Sequence, residues 1–300
     1  MDKTTPTYWI DAFTTQAFTG NPAVVLPQAD GLSDRQMQAI AREVNCSETA
    51  FVLQPTLPEA DFRLRWFTPT QEVDLCGHAT VATLHVLAQE GRFNLQRGVT
   101  QLLYLETRSG VLKVSVDYTQ GDRPWIWLTL PTCHFQALEP DLVQQLQTIL
   151  GYETRTAKGE AVVDSLNHDV LIEIEHLQQL QTLTPDMAAL SQLGKDQQWR
   201  GVCVYTRETV EPQNNAHSRF FAPQSGIVED PVTGSVSGPL ALWLRQTEHS
   251  ATSDKAEQTL WHFEQGDCLG RAGRLAIELD GDSPKLGGQA VTVLKGELYL

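Results

Sequence analysis

Two short stretches hold side chains suited to moving a proton. Glu48 stands in the polar turn NCSET, with Asn45, Ser47 and Thr49 beside it as hydrogen-bond partners. A carboxylate in a partly dry cleft has its pKa raised toward neutrality and then serves as general base and general acid in turn. His78 is expected as the first residue of an apolar helix, where the positive helix end favours a neutral imidazole able to donate or accept. Farther along, Glu229 and Asp230 precede Pro231, and Gly234 and Ser235 open a second apolar helix. Gly77 and Gly234 let a ligand come close to the free backbone amides of a helix start, which favours a carboxylate or phosphate. The same residues have plain structural readings. Glu48 and Asp230 also read as loop carboxylates capping amides, His78 as a satisfied helix-start residue and Ser235 as an N-cap. Residue types alone leave both readings open.

The elements that position these groups come as a repeat. Arg65–Leu87, RWFTPTQEVDLCGHATVATLHVL, returns in loosened form as Arg219–Leu244, RFFAPQSGIVEDPVTGSVSGPLALWL. Each copy runs from an Arg-aromatic-Phe strand end through a Pro (Pro69, Pro223) and an acidic loop to a Gly that opens an uncharged helix. The separation is about half the chain, which predicts two related halves, each burying one central helix, and not a short-period solenoid. With the halves facing each other, both helix starts aim into one cleft suited to a small anionic substrate.

Three hundred residues with 41% hydrophobic content suffice for two compact domains. The net charge of −15 and the absence of basic runs argue against nucleic acid and against an anionic membrane surface. No segment reads as a membrane helix and MDKTTPTYWIDAF does not read as a signal peptide, so the expected location is cytoplasmic. Cys46, Cys76, Cys133, Cys203 and Cys268 are scattered and odd in number, which suits reduced thiols better than disulfides or structural zinc.

In chain order, a strand is predicted at Tyr8–Phe13, then the TGNP turn, a strand from Ala23, and a helix opened by a Ser33/Gln36 capping box with Met37, Ile40, Ala41 and Val44 on one face. Phe62, Leu64 and Trp66 alternate with Arg63 and Arg65 as a half-buried strand. Further strands are expected near Leu102–Thr107 and Val111–Tyr118, and the Gly-containing stretch Thr119–Arg123 is the candidate boundary. Beyond it come a strand at Trp125–Leu130, a helix at Pro140–Leu150, strands from His168 and Val202, a polar loop over His249–Glu257, and strands at Thr259–Glu264, Arg274–Leu279 and from Ala290. This is an α+β pattern of two mixed or antiparallel sheets, each curled around its helix.

TGNPAVV, NCSETAFV, RWFTP, LCGHATVAT, EDPVTGS and QGDCLGRAGRL resemble, in order and across nearly the whole chain, the PhzF-like family, also called phenazine biosynthesis-like or YddE-like proteins. The resemblance implies the diaminopimelate-epimerase fold with its active site in the cleft between halves. It implies domains at 1–118, completed by a C-terminal strand at 287–300, and at 124–286. It also implies that Glu48 shuttles a proton between two carbons of one substrate without a cofactor. By the same likeness His78 and Asp230 hold polar substituents or relay protons, and Gly77, Gly234 and Ser235 bind the substrate carboxylate. The family is commonly dimeric, so a homodimer is expected. Its best-known member isomerises trans-2,3-dihydro-3-hydroxyanthranilate, a substrate that does not transfer automatically.

Three functions compete on these residues. One is the single-Glu isomerase. Another is a two-thiol racemase, suggested by Cys76 at a helix start but opposed by the second copy, which offers Ser235 where a second thiol is needed. The third is a non-catalytic protein that binds small carboxylates. Metal ligation is the weakest reading, since Cys76, His78 and His85 lack a convincing third ligand. No Gly-rich dinucleotide fingerprint follows a strand, so neither NAD nor FAD is implied.

Overall fold

The computed structural model describes residues 4–152, 161–251 and 258–300, with side chains through 248 in the middle segment. The chain divides into two compact units, 1–129 with 286–300, and 130–285.

Unit 1 contains β1 (Thr4–Ala12), β2 (Asn21–Leu26), α1 (Asp34–Val44), β3 (Glu48–Leu53), β4 (Phe62–Phe67), β5 (Glu72–Val73), α2 (Gly77–Gln89), β6 (Thr100–Thr107), β7 (Gly110–Asp117) and β8 (Trp125–Thr129). Unit 2 contains β9 (Phe135–Ala137), α3 (Pro140–Leu150), β10 (Ala161–Asp164), β11 (Asp169–Glu173), α4 (Leu177–Thr182), α5 (Met187–Gln197), β12 (Gly201–Thr206), β13 (Ala216–Ala222), β14 (Ile227–Asp230), α6 (Gly234–Ala251), β15 (Leu260–Gln265) and β16 (Gly273–Asp280). The chain returns within β17 (Ser283–Gly288), and β18 (Ala290–Tyr299) pairs antiparallel with β1 in unit 1.

In unit 1 the ladder runs β18-β1-β2-β3-β4-β6-β7-β8. The β2–β3 and β4–β6 pairs are parallel and the others antiparallel. Strands at both ends of this ladder, β18 and β8, touch α2, so the sheet curls around that helix. Curling is what the composition of α2 demands. GHATVATLHVLAQ carries no Asp, Glu, Lys or Arg, and its buried positions, His78 through Leu84 and Val86 through Ala88, leave no solvent face. Each fully buried Val or Leu there contributes about 1.5–3 kcal/mol of transfer free energy. By contrast α1 is amphipathic. It is closed at Ser33 by the predicted capping box and at Asn45 by a left-handed residue (φ 52°), and it buries Met37, Ile40 and Ala41 against β3 and β4.

Unit 2 repeats the scheme as β9-β10-β11-β12-β13-β15-β16, with β11–β12 and β13–β15 parallel. Helix α6 is the counterpart of α2. Its Trp243 Nε1 donates to the Tyr205 hydroxyl on β12 at 3.1 Å, and its ring packs on Phe135 with centroids 5.3 Å apart. A second core, built on Leu146, Leu150, Leu180, Leu190, Leu193 and Trp199, packs α3, α4 and α5 on the strands.

The boundary differs from the sequence expectation. Thr119–Arg123 is the turn between β7 and β8, and Trp125–Thr129 belongs to unit 1 because β8 pairs with β7, Val114 opposite Leu128 and Asp117 opposite Trp125. Unit 2 accordingly begins at Leu130. Nor is His249–Ala251 a loop: it is the last turn of α6, and 252–257 lies outside the described residues.

Candidate active site

Glu48 opens β3 directly after the turn that ends α1. Asn45 N–H donates to Ala41 O at 3.0 Å, while the Cys46 thiol and the Ser47 hydroxyl both donate to Pro22 O, at 3.3 and 3.1 Å. The turn is therefore tied to the TGNP segment, and Glu48 sits opposite Ala23 in the parallel register. Its Oε2 lies 3.2 Å from His78 Nε2, with Ser47 Oγ 3.3 Å from the same nitrogen. The other ring nitrogen, Nδ1, is 3.5 Å from Cys76 Sγ. His78 is the second residue of α2, after Gly77, and the N-cap residue Cys76 makes no side-chain cap.

The expected protonation states are reversed. Burial opposes ionisation of Glu48, but the charge and hydrogen bond of His78, joined by the Ser47 hydroxyl, hold its carboxyl below the usual range. Burial likewise opposes the His78 imidazolium, yet the Cys76 sulfur on one side and the Glu48 carboxylate on the other lift it well above its ordinary value. Burial, with the Glu48 charge added, pushes the Cys76 thiol up, so the carboxylate is the anion that holds the imidazolium. The pair is Glu48⁻ and His78⁺ because each supplies the charge that the helix-end and dry-cleft arguments left out.

Among the described residues, Glu48, Cys76 and His78 are also the group that could hold a metal ion, with ligand atoms within 4.8 Å of one another. Their closest approaches, however, use both nitrogens of one imidazole. Cys76 meets Nδ1 and Glu48 meets Nε2, which is a hydrogen-bonded chain and not a set of donors converging on one point.

In unit 2, Asp230 ends β14 and accepts from the Thr233 hydroxyl at 2.6 Å. Gln265 braces this loop: its Nε2 donates to Asp230 O at 2.7 Å and to Thr233 Oγ1 at 3.0 Å, and its Oε1 accepts from Thr233 N at 3.1 Å. Gly266 follows at φ +90°, where a Cβ would lie 2.4 Å from Arg271 O and 2.5 Å from Pro231 O. The QGDCLGRAGRL stretch is thus a buttress for EDPVTGS.

Ser235, in the first turn of α6, accepts at Oγ from Arg200 at 3.0 Å and at its backbone carbonyl from Asn167 Nδ2 at 3.1 Å. Arg200 is gripped in turn by both carboxylate oxygens of Asp169, with Nε to Oδ1 at 2.9 Å. Burial pushes the Asp169 carboxyl up to about 6, and Arg200 opposes that rise. Sequence reasoning singled out neither Arg200, Asp169 nor Gln265.

The repeat aligns these groups residue by residue. Arg65 forms a two-pronged ion pair with Glu72 at 2.7 and 2.8 Å, and Arg219 does so with Glu229 at 2.8 Å on both prongs. Each guanidinium also lies over the Phe two residues on, 5.1 Å from the centroid of Phe67 and 5.0 Å from that of Phe221. Matching Arg65 to Arg219 across the β3–β4 and β12–β13 registers places Gly201 at the position of Glu48 and Arg200 at that of Ser47. The β2–β3 and β11–β12 registers give the same match, Ala23 opposite Glu48 and Asp169 opposite Gly201. A Cβ on Gly201 would fall 2.2 Å from the Phe220 ring, so this position has no room for a second carboxylate.

The description "phenazine biosynthesis-like protein" (PhzC-PhzF) matches residues 10–296. A Clostridium acetobutylicum protein named an uncharacterized isomerase is 36% identical over 98% of this chain and 97% of its own length. The crystal structure of a Bacillus anthracis phenazine biosynthesis protein of the PhzF family superposes with a TM-score of 0.86 at 27% identity, covering 99% of this chain and 100% of that one. A hydroxyproline epimerase from Agrobacterium vitis shares the fold, with a TM-score of 0.60 at 14% identity over 100% of this chain and 94% of its own. Motifs matched in order, a match spanning both units and a relative similar from end to end agree: the chain belongs to the phenazine biosynthesis-like, or PhzF-like, family.

Proposed function

We propose that the protein is an isomerase that moves a proton from one carbon of a small carboxylate substrate to another, with Glu48 as the single proton carrier. The observation that carries this reading is the Glu48–His78 pair in unit 1 together with Gly201 at its counterpart in unit 2. A racemase working with two bases needs a group on each face of the carbon, and the repeat supplies one carboxylate only.

In the cycle, Glu48⁻ takes a proton from carbon and becomes the carboxylic acid, while the electron pair left behind is delocalised toward the substrate's unsaturation and carboxylate. The same proton then returns to a second carbon, so no electrons are exchanged and no cofactor is called for. The His78 imidazolium steadies the negative charge that develops. Gly77, Gly234 and Ser235 are assigned the substrate carboxylate, and Asp230 a polar substituent, by likeness to the family. A homodimer in the cytoplasm belongs to the same proposal. Among the described residues no helix is long and apolar enough to cross a membrane.

The test is deuterium exchange in heavy water on a panel of small cyclic and amino carboxylates, followed by mass spectrometry. Exchange at carbon by the wild type, reduced by about 10²–10⁴ in Glu48→Gln, supports the isomerase. Binding without any exchange points instead to a carboxylate-binding protein.

A further inference from the structure

We propose that Arg200, fixed by the buried carboxylate of Asp169, is the positioning residue that makes the start of α6 selective for a carboxylate, by holding a cation against the Ser235 hydroxyl and leaving that hydroxyl's hydrogen for the ligand. The inference rests on the reading above that Ser235 meets the substrate, and it adds the residue that sets what Ser235 accepts as a partner.

The hydrogen-bond directions carry the argument. A guanidinium only donates. Ser235 Oγ therefore accepts from Arg200 at 3.0 Å, and its own hydrogen finds no acceptor among the described residues. With Arg200 on one of its two lone pairs, the hydroxyl offers its hydrogen to a ligand that lies beside a cation, which favours an anionic oxygen over a neutral one. The cost of the arrangement is visible. Asp169 is fully buried, with 0% of its side chain exposed, and two-pronged contact with Arg200 is what compensates its charge. Arg200 itself keeps 36% of its side chain exposed. Stability alone gains little from burying a carboxylate to hold a guanidinium at a surface, whereas ligand selection gains a fixed positive charge and an oriented hydroxyl.

The repeat strengthens the assignment. Ser47 occupies the equivalent place in unit 1 and contacts the second residue of α2, His78, as Arg200 contacts the second residue of α6, Ser235. The same scaffold position thus holds a neutral hydroxyl beside the proton carrier in one unit and a cation beside the anion-binding group in the other.

The experiment compares binding of anthranilate and anthranilamide, which differ only in carboxylate against carboxamide, by calorimetry near neutral pH. Wild type is expected to favour anthranilate by about ten-fold or more, the scale of one hydrogen bond to a charged group. Arg200→Gln combined with Asp169→Asn removes both charges and is expected to abolish that preference, while Arg200→Lys keeps part of it. A folded double variant that retains the full preference overturns the proposal. Should the double variant fail to fold, coupling decides: Ser235→Ala must weaken anthranilate binding less in the Arg200→Lys background than in wild type, and equal losses overturn the proposal. Absence of any preference in wild type overturns both this inference and the carboxylate reading of Ser235. Exchange that persists in Glu48→Gln, with the preference intact, overturns the catalytic reading alone.

Discussion

Glu48 Oε2 stands 3.2 Å from His78 Nε2, and the two groups hold each other charged, the carboxyl below its ordinary 4.5 and the imidazole well above 6.5. The lowered Glu48 value adds stability above about pH 4.5 that is lost as the pH falls through it. The raised His78 value adds stability below about pH 6.5 that is lost as the pH rises through it. Exchange activity is expected to follow a bell whose acid limb belongs to Glu48 and whose alkaline limb belongs to His78. In His78→Asn the alkaline limb should vanish and the acid limb should move up, read from the pH profile of the exchange rate. An acid limb left in place would disconnect the pair from the chemistry.

Cys76 touches His78 Nδ1 but is buried and held as a thiol. Cys76→Ala is expected to keep activity within about ten-fold, because a buried thiol that stays protonated is a poor base. In native protein a thiol reagent should label Cys268 first, the one exposed cysteine, with the four buried ones reacting only on unfolding. Mass spectrometry of the labelled peptides reads this directly.

Gly201 is the packing constraint that leaves unit 2 without a carboxylate at the position of Glu48. Its Cβ would meet the Phe220 ring at 2.2 Å, so Gly201→Ala is expected to cost about 1–3 kcal/mol and to lower the thermal midpoint. Pairing it with Phe220→Leu should recover part of that loss. A neutral Gly201→Ala would show that the ring moves aside freely.

The two repeated ion pairs differ in what else they hold. Arg219, 8% exposed, donates to Leu180 O and Leu183 O at 3.0 Å in addition to Glu229, and so ties down the end of α4. Arg65 donates from Nη1 to Asp34, whose side chain is 80% exposed. Arg219→Met is therefore expected to destabilise by about 3–5 kcal/mol, and Arg65→Met by clearly less, in denaturant titrations of each variant.

Much of this was legible in the sequence because it is written in local chemistry. The Ser33–Gln36 box, the apolar helix starts after Gly77 and Gly234 and the Arg-aromatic-Phe strand ends are signals that a few adjacent residues carry by themselves. Arg200 and Asp169 were not legible, since 31 residues separate them and only the parallel β11–β12 pairing makes them neighbours. Strand β17, SPKLGG, was missed because Pro and two Gly argue against a strand that long-range pairing nevertheless forms. Trp125–Thr129 was given to the wrong half because a Gly-containing hairpin turn and a linker share one composition. The protonation states of Glu48 and His78 failed for a similar reason. A pKa belongs to a pair in space, and the sequence presents its members 30 positions apart.

Unit 1 needs β18 at the edge of β1, whereas unit 2 is drawn from one continuous run, 130–285. Order of synthesis therefore matters to how the protein matures on the ribosome. The second unit has all its strands as soon as residue 285 emerges, while the first keeps β1 with an open edge until the last strand arrives. The edge of nascent β1 away from β2 stays unpaired throughout that interval and is a template for pairing with another chain.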